Sequence, residues 1–288
     1  QALRDIQPTH FLDIVAVNAL YRPGPMEFIP VYARRKRGQE QVVIPHTALE
    51  PILRETYGII VYQEQIMRIA NVLAGFTIGQ ADLLRRAVSK KKREVLEEQR
   101  AAFIAGTLEQ GYPEQVAEEV YALIVRFADY GFAKSHAVAY SMISYQMAFL
   151  KANYPVNFYA ALMTNASGNA DKLAQILAEA KVRGIEVLPP SIHNSVRHFK
   201  VEGGKIRFSL SAIKGVPQPF LQKLLDVRKQ KQEPFTDLFD LAISLSAATF
   251  TRKVIEPLIK AGALDEFGRE RATLLATIEA AVKQAEIV

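Results

Sequence analysis

The sequence predicts a mainly α-helical fold with one small β-hairpin. Apolar residues recur at helical spacing through most of the chain. One stretch, "HFKVEGGKIRFSL" at 198–210, instead alternates apolar and polar residues on both sides of a Gly-Gly pair, which is typical of a hairpin. Helical segments resume after it, so we expect a C-terminal helical subdomain behind a longer helical region.

Proline, glycine and threonine divide the first region into helices. In "RPGP", Pro23 and Pro25 end one helix, and Pro25 can begin the next. Thr47 and Thr77 stand where N-caps are expected, and "QVVIP" at 41–45 is a strand candidate. The pattern predicts helices over 11–21, 26–38, 47–58, 63–75 and 77–90, and over roughly 91–110, 114–129, 136–153 and 169–183.

The pattern changes near residue 185. "IEVLPP" predicts a strand, and Gly203 and Gly204 supply the positive φ angles of the hairpin turn. The segments "IKGVPQPFLQKLLDVRKQ", "TDLFDLAISL" and "TRKVIEPLIKAGALDEFG" follow, with a final helix from Arg269. We therefore expect two regions, residues 1–195 and 196–288.

Composition limits the classes of protein. There is no cysteine, which excludes disulfides and thiolate metal sites and agrees with a reducing compartment. Apolar runs are too short for a membrane span, and "QALRDIQPTH" lacks the apolar centre of a signal peptide. We expect a soluble, cytoplasmic protein with no membrane partner.

Positive charge is concentrated early in the chain. The net charge is +6, and residues 22–93 hold 13 Lys and Arg against 6 Asp and Glu. Such a surplus attracts polyanions, of which nucleic acid is the commonest. An ordinary solvated surface is the alternative.

Much of this charge lies in "IGQADLLRRAVSKKKREV", residues 78–95. On a helix, Ile78, Ala81 and Leu84 share an apolar face. Arg86, Lys90 and Arg93 form a stripe away from it, with Arg85 beside them and few local acids to neutralise them. Guanidinium groups match phosphate oxygens, so the stripe suits a triphosphate or a nucleic-acid backbone, unless it is simply solvated.

A second candidate is "YGFAKSHAVAYSMISYQ". It puts Lys134, Ser135 and His136 at a helix N-terminus, where free N–H groups and the helix dipole favour an anion. A histidine at a helix start is also often a cap or a packing residue.

The third candidate is "SAIKGVPQPFLQKLL", which resembles the turn of a helix-hairpin-helix motif. Such turns offer backbone N–H groups to a phosphate whatever the base sequence. Lys214 and Gly215 would contact that phosphate. The motif usually ends Gly-apolar-Gly, but Pro217 has no N–H, so this turn is either a weakened DNA contact or a structural element.

These stretches, with "ALYRPGPM", "ETYGIIVYQEQIMRIANVLAGF", "ADLLRRAVSKKK", "FADYGFAKSHAVAYSMISYQMAFLKANYPVNFYAALM", "VLPPSI" and "LSAIKGV" in this order, closely resemble the fingers region of bacterial DNA polymerase III alpha subunits, the C-family replicative polymerases. The resemblance covers nearly the whole chain. It implies a multi-helix fingers domain followed by a subdomain with helix-hairpin-helix-like units.

The resemblance also implies residue roles. Arg85, Arg86 and Lys90 would hold the triphosphate of the incoming dNTP, and Lys134, Ser135 and His136 would line the nascent base pair, with Tyr130 nearby. The residues expected to contact primer-template DNA are Lys91, Lys92 and Arg93, together with Lys214 and Gly215 of the helix-hairpin-helix-like turn.

The chain departs from the family pattern at two places. Ala133 replaces the asparagine of Gly-Phe-Asn-Lys-Ser-His, and Val88 and Ser89 replace a favoured Met-Gly. A hydrogen bond from the asparagine position is therefore absent, and the backbone before the lysines lacks the family's glycine.

The family's palm, which holds Mg²⁺ on aspartates, lies upstream of the matching segment, and its sliding-clamp contacts lie downstream. Two-metal catalysis needs converging carboxylates, and this chain has no Asp-x-Asp. We therefore expect no catalytic residues and no bound metal here, and an enzyme only in the complete polymerase, with its other domains, the clamp and replisome subunits as partners. The alternatives are a stand-alone helix-hairpin-helix DNA-binding module and a helical scaffold with solvated basic faces.

Overall fold

The computed structural model describes residues 1–90, 93–128, 130–231 and 233–287, with the backbone alone at 88–90, 93 and 128. The described residues form α-helices joined by short 3-10 turns, plus three short strands. The helices are α1 (Ala2–Ile6), α2 (Phe11–Leu20), α3 (Ile29–Lys36), α4 (Glu50–Leu53), α5 (Gln63–Ala74), α6 (Ile78–Lys90), α7 (Arg93–Glu109), α8 (Glu114–Ala128), α9 (Lys134–Asn153), α10 (Pro155–Asn165), α11 (Ala170–Val182), α12 (Gln218–Gln230), α13 (Leu238–Leu245), α14 (Arg252–Lys260) and α15 (Arg271–Ile287).

The strands are β1 (Val187–Leu188), β2 (Lys200–Glu202) and β3 (Lys205–Arg207). They form one sheet in the order β1-β3-β2, with β1 parallel to β3 and β2 antiparallel to it. Val201 and Val187 both lie beside Ile206 in the register. Gly203 and Gly204 make the hairpin turn with φ angles of 56° and 77°, so the predicted hairpin is confirmed.

The chain divides into two compact units, Gln1–Met147 and Ala148–Val288. In the first unit α5 packs against α6, α7 and α8. Its apolar stripe of Ile66, Ile69 and Leu73 is fully buried in that core. Gly75 ends α5 in the left-handed conformation at φ 65°, as a helix C-terminus favours.

The second unit has two cores. One joins α10 and α11 to the sheet through Tyr159, Ile176 and Ile206. The other is formed by the four helices α12, α13, α14 and α15. The division predicted at 195/196 falls inside this unit, because the chain there runs between elements that share a core. Helix α10 was not predicted, although Pro155 at its first position is a favourable helix start.

Two local predictions were wrong. Residues 41–45 form no strand with any described segment. The carbonyl of Val43 instead lies so close to Gly58 that a Cβ there would be 2.6 Å from it. The turn at Thr47 is capped by His46, whose Nδ1 accepts from the Ala48 N–H at 3.2 Å. No helix among the described residues is long and apolar enough to cross a membrane.

Candidate functional site

Helix α6 carries the two predicted arginines. Thr77 and Gln80 form a capping box: the Gln80 N–H donates to Thr77 Oγ1 at 3.3 Å, and the Thr77 N–H donates to Gln80 Oε1 at 2.9 Å. The predicted cap is therefore confirmed. Ala81 and Leu84 are fully buried, so the opposite side of the helix faces outward, whereas Ile78, predicted on the same apolar face, is 78% exposed.

On that outward side, Arg85 and Arg86 share one carboxylate. Arg85 donates from Nε and Nη2 to Asp82 Oδ1 at 2.9 and 2.7 Å, and Arg86 Nε lies 2.8 Å from Asp82 Oδ2. These hydrogen bonds, that from Arg85 foremost, lower the pKa of Asp82. The expectation of few local acids was wrong for this pair, because Asp82 lies one turn before both arginines.

The two arginines differ in exposure. The Arg85 side chain is 22% exposed and that of Arg86 is 62% exposed. The side chains of Lys90 and Arg93, and the whole of Lys91 and Lys92, lie outside the described residues, so the predicted continuation of the basic stripe stays a prediction.

A buried glutamine fixes the start of α5. Gln65 is 3% exposed, and its Oε1 accepts from the N–H groups of Val61 at 2.8 Å and Tyr62 at 3.0 Å. Its amide donates to Thr56 Oγ1 at 2.8 Å. Because both polar ends of this side chain are satisfied out of water, the first turn of α5 is held in one place.

That first turn anchors the segment before α9. The Phe132 N–H donates to the Val61 carbonyl at 3.2 Å, and the Gln63 N–H donates to the Phe132 carbonyl at 3.0 Å. The Gln63 side chain donates to the Gly131 carbonyl at 3.1 Å and accepts from Arg85 Nη1 at 3.4 Å. Gln63 therefore links Arg85 to the start of α9.

Carboxylates of the same unit occupy the N-terminus of α9. The Lys134 N–H donates to both Glu64 oxygens at 3.0 Å, and Lys134 Nζ donates to both Glu55 oxygens at 2.7 and 2.8 Å. Lys134 Nζ also lies 5.4 Å from the centre of the Tyr62 ring. The anion expected at this helix start is thus supplied by the protein itself in this structure.

Ser135 and His136, the next two residues, are exposed. The His136 ring lies 5.4 Å from Phe132 and 4.5 Å from Tyr140, measured between ring centroids. The His136 ring therefore lies between Phe132, just before α9, and Tyr140 on α9.

Tyr130 is held by the "RPGP" turn. Arg22 Nη2 donates to the Tyr130 carbonyl at 2.5 Å, and its guanidinium lies 4.5 Å over the Phe132 ring. Burial lowers the pKa of Arg22. A Cβ on Gly24 would lie 2.3 Å from Tyr130 Cε1, so the absence of a side chain at Gly24 makes room for the Tyr130 ring.

The acids and amides of this site were not predicted as functional. Gln63, Glu64 and Glu55 carry no spacing signal, because they reach the site from a different part of the chain. Arg22 had a signal, since an arginine directly before Pro-Gly-Pro stands at a fixed turn.

The tight turn predicted in "SAIKGVPQPFLQKLL" is present directly before α12. Gly215 has φ 96° and packs on Pro257 of α14, and Pro217 precedes α12 as its N-cap. Lys214, Lys253 and Lys260 line an open cavity of about 530 Å³ beside Glu256. Lys260 pairs with Glu256 at 2.5 Å. A second turn of this type lies at Gly262, with φ 84°.

The acids near these sites are dispersed. Among the residues that the structure describes, no three His, Cys, Asp or Glu side chains cluster so as to hold a metal ion. The described residues therefore do not fit a two-metal centre.

Two family matches give the class of protein, a finger region followed by a helix-hairpin-helix region. Residues 1–111 match the family described as "Bacterial DNA polymerase III alpha subunit finger domain", and residues 184–274 match "Helix-hairpin-helix motif". The mainly helical fold and the helix-hairpin-helix prediction are confirmed.

The chain belongs to the bacterial DNA polymerase III alpha subunit family. It is 53% identical over 285 residues to DNA polymerase III subunit alpha of Bacillus subtilis (strain 168), covering 99% of this chain and 25% of that protein. It is 54% identical to that of Halalkalibacterium halodurans over 100% of this chain and 26% of the relative, and 48% identical to that of Staphylococcus aureus (strain MRSA252) over 96% and 26%. The chain thus spans about a quarter of these relatives.

Proposed function

We propose that this chain is the finger part of a bacterial replicative DNA polymerase, in which Arg85 and Arg86 bind the triphosphate of the incoming dNTP. One observation carries the proposal: two guanidiniums meet on one carboxylate at the surface of α6, and Gln63 joins the first of them to the start of α9.

Asp82 keeps the pair oriented before nucleotide arrives. A triphosphate carries several negative charges against one on Asp82, so it competes for the same guanidinium donors. Arg86 is the more exposed of the two and reaches the ligand with less rearrangement. Arg85 remains tied to Gln63, which favours a positioning role toward α9.

Residues at the start of α9 would contact the nascent base pair. Ser135 and His136 are exposed and polar, and Tyr130 lies close by on the same segment. Lys134 acts mainly by holding two carboxylates, since Glu55 already engages its ammonium and Glu64 its N–H.

Primer-template DNA would contact the second unit at the turn that contains Lys214 and Gly215. Lys214 and Lys253 flank the cavity beside Gly215, and a backbone phosphate is the ligand that such a turn favours. Pro217 removes one backbone donor, so the lysines carry more of the contact there.

Catalysis requires the rest of the polymerase. Mg²⁺ would be held by acids outside residues 1–288, and the other polymerase domains, the sliding clamp and replisome subunits would be the partners. Such an enzyme works on the chromosome in the bacterial cytoplasm.

The test compares Arg86→Ala with Arg183→Ala in the complete polymerase. Arg183 is a matched control, because both arginines pair with an acid four residues earlier and are 62% and 49% exposed. We expect Arg86→Ala to lower kcat/KM for dNTP by about tenfold to a hundredfold, with primer-template affinity little changed. Arg86→Lys should restore only part of the loss, because an ammonium lacks the guanidinium fork.

The alternative function, a stand-alone helix-hairpin-helix DNA-binding module, gives the opposite result. In that case Arg86→Ala would weaken DNA binding and leave the dependence on nucleotide unchanged. That outcome would overturn the assignment of Arg86 to the triphosphate.

A further inference from the structure

Gln63, the first residue of α5, has an amide that is used at both ends. Its Nε2 donates to the Gly131 carbonyl at 3.1 Å, and its Oε1 accepts from Arg85 Nη1 at 3.4 Å. The two partners belong to different elements, because Arg85 lies on α6 and Gly131 lies three residues before α9. A glutamine amide carries a donor and an acceptor side by side, which is what these two opposite contacts require.

The backbone of Gln63 gives that amide a fixed base. Its N–H donates to the Phe132 carbonyl at 3.0 Å, and Tyr62 beside it pairs with Phe132 in a short parallel bridge. A Cβ on Gly131 would lie 3.1 Å from Gln63 Cγ, so the glycine lets the two segments lie in close contact. A side chain held this closely at its base loses little conformational entropy when it makes its two hydrogen bonds.

The guanidinium of Arg85 is divided between Asp82 and Gln63. Its Nε and Nη2 donate to Asp82 Oδ1, whereas its Nη1 donates to Gln63. Asp82 lies three residues earlier on the same helix, so that contact fixes Arg85 only relative to α6. The contact with Gln63 instead relates Arg85 to the start of α5 and to the segment before α9.

Gln63 also holds the segment before α9. The carbonyls of Gly131 and Phe132 both accept from Gln63, the first from its side chain and the second from its N–H. Tyr130 stands directly before them, and α9 begins just after them with residues 134–136. A movement of the Gln63 amide therefore acts on the backbone that carries the residues proposed to line the nascent base pair.

We propose that Gln63 is a positioning residue that couples the triphosphate on Arg85 to the placement of residues 130–136 at the base pair, and so contributes to nucleotide selectivity. A phosphate on Arg85 competes with Asp82 and Gln63 for the same N–H donors, so the link responds when nucleotide arrives. A correctly paired dNTP seats its base and its triphosphate together, whereas a mispaired base shifts residues 130–136 and strains the link. The inference rests on the proposed function, since it needs Arg85 at the triphosphate and residues 130–136 at the base pair.

The test measures selectivity in the complete polymerase, as the ratio of kcat/KM for the correctly paired dNTP to kcat/KM for a mispaired one. Gln63→Met keeps the length of the side chain and removes both hydrogen bonds, whereas Gln63→Glu keeps an acceptor for Arg85 and loses the donor to the Gly131 carbonyl. We expect each variant to lower selectivity by about fivefold to twentyfold, with primer-template affinity changed by less than about twofold. Wild-type selectivity in either variant would overturn the proposal.

Gln222→Met is the matched control. The Gln222 amide also bridges two groups, since its Oε1 accepts from Arg197 Nη2 and its Nε2 donates to Asp226 Oδ1 at 2.7 Å, but it lies on α12 in the second unit. This variant should leave selectivity unchanged to within about twofold. An equal loss in Gln222→Met would contradict a specific role for Gln63.

A double-mutant cycle separates positioning from simple support of the fold. In the Arg85→Ala background, Gln63→Met should lower selectivity further by less than about twofold, because the group through which Gln63 acts is gone. In the Arg86→Ala background its full effect should remain, because the carboxylate that Arg86 contacts is that of Asp82. Equal losses in the two backgrounds would show a merely structural role and overturn the proposal.

The same variants distinguish this inference from the proposed function. If Arg86→Ala alone leaves kcat/KM for dNTP unchanged, the proposed function fails and the coupling through Gln63 fails with it. If Arg86→Ala has its expected effect while the losses from Gln63→Met are equal in the two backgrounds, only the role of Gln63 is overturned.

Discussion

Single carboxylates hold cations at two places in the first unit. Asp82 holds two arginines on the surface, whereas Asp13 is 4% exposed and lies 3.2 Å from the buried ammonium of Lys36. Burial alone would raise the pKa of Asp13, but hydrogen bonds from the N–H groups of Thr9 and His10 and the Lys36 ion pair outweigh it, and the net pKa is lowered.

The Asp13 pair predicts a pH-dependent loss of stability. Asp13→Asn should lower the free energy of unfolding at pH 7 by about 2–4 kcal/mol, because the ammonium of Lys36 stays buried without its counter-ion. Since the folded-state pKa is depressed, the contribution of the carboxylate is complete above its unfolded pKa of about 3.9 and is lost as the pH falls through the folded value. Urea unfolding of both proteins from pH 7 to pH 3 should show their difference narrowing below about pH 4.

Asp226→Asn is the control, because Asp226 is exposed on α12. It should change stability by less than about 0.5 kcal/mol. A pH-independent difference for Asp13→Asn would contradict the ion-pair account.

At the scale of elements, tight turns decide where the functional segments lie. The "RPGP" turn packs Gly24, at φ 94°, against the Tyr130 ring, and the hairpin turn packs Gly215 against Pro257. In both cases a backbone without a side chain lets another element approach closely.

Replacing Gly24 tests the first turn. Gly24→Ala should destabilise the chain by about 2–4 kcal/mol, because the new Cβ adds a clash with Tyr130 to the backbone strain. Gly38→Ala is the matched control: Gly38 also has positive φ, 69°, but nothing lies within 4 Å of its Cβ position. It should cost about 1 kcal/mol. Equal losses in thermal or urea unfolding would show that the contact with Tyr130 contributes nothing.

Replacing Lys214 tests the hairpin as a DNA contact. If it neutralises one phosphate, Lys214→Ala should reduce the slope of log affinity against log salt by about one unit on duplex DNA. Lys223→Ala, an exposed lysine on α12, should leave the slope unchanged. An unaltered slope for Lys214→Ala would mean that Pro217 has made the turn purely structural.

At the scale of the whole molecule, the chain combines finger and helix-hairpin-helix regions that correspond to about a quarter of its relatives. The carboxylates of the described part lie apart from one another or in ion pairs, and none of them forms a metal-binding group there. We therefore expect DNA binding and catalysis to reside in different parts of the complete polymerase.

This separation predicts that the purified chain of 288 residues binds DNA but does not extend a primer. Incubation with primer-template, all four dNTPs and Mg²⁺ should give no template-dependent product, because nothing in the described residues activates the primer hydroxyl. DNA affinity, measured in parallel by fluorescence anisotropy, should fall steeply with salt. Extension that follows the template sequence would contradict the prediction.

The sequence by itself determined the elements. Most of the helices, the Gly203–Gly204 turn and the Thr77 cap depend on residues close together in the chain and were predicted correctly, whereas α10 was missed and the strand at 41–45 and the Thr47 cap were wrong. The outward position of Arg85 and Arg86 followed from the same periodicity, since the buried face of α6 is set by Ala81 and Leu84.

Only the tertiary structure decided what those residues meet. Gln63 joining Arg85 to Gly131, and Glu55 and Glu64 on Lys134, are contacts between segments 22 to 79 residues apart. The strand predicted at 41–45 failed for the same reason. The Val43 carbonyl lies against Gly58, and no described segment pairs with 41–45 as a neighbouring strand. The spacing of residues along the chain does not predict such contacts, because the packing of several helices around one core brings these groups together.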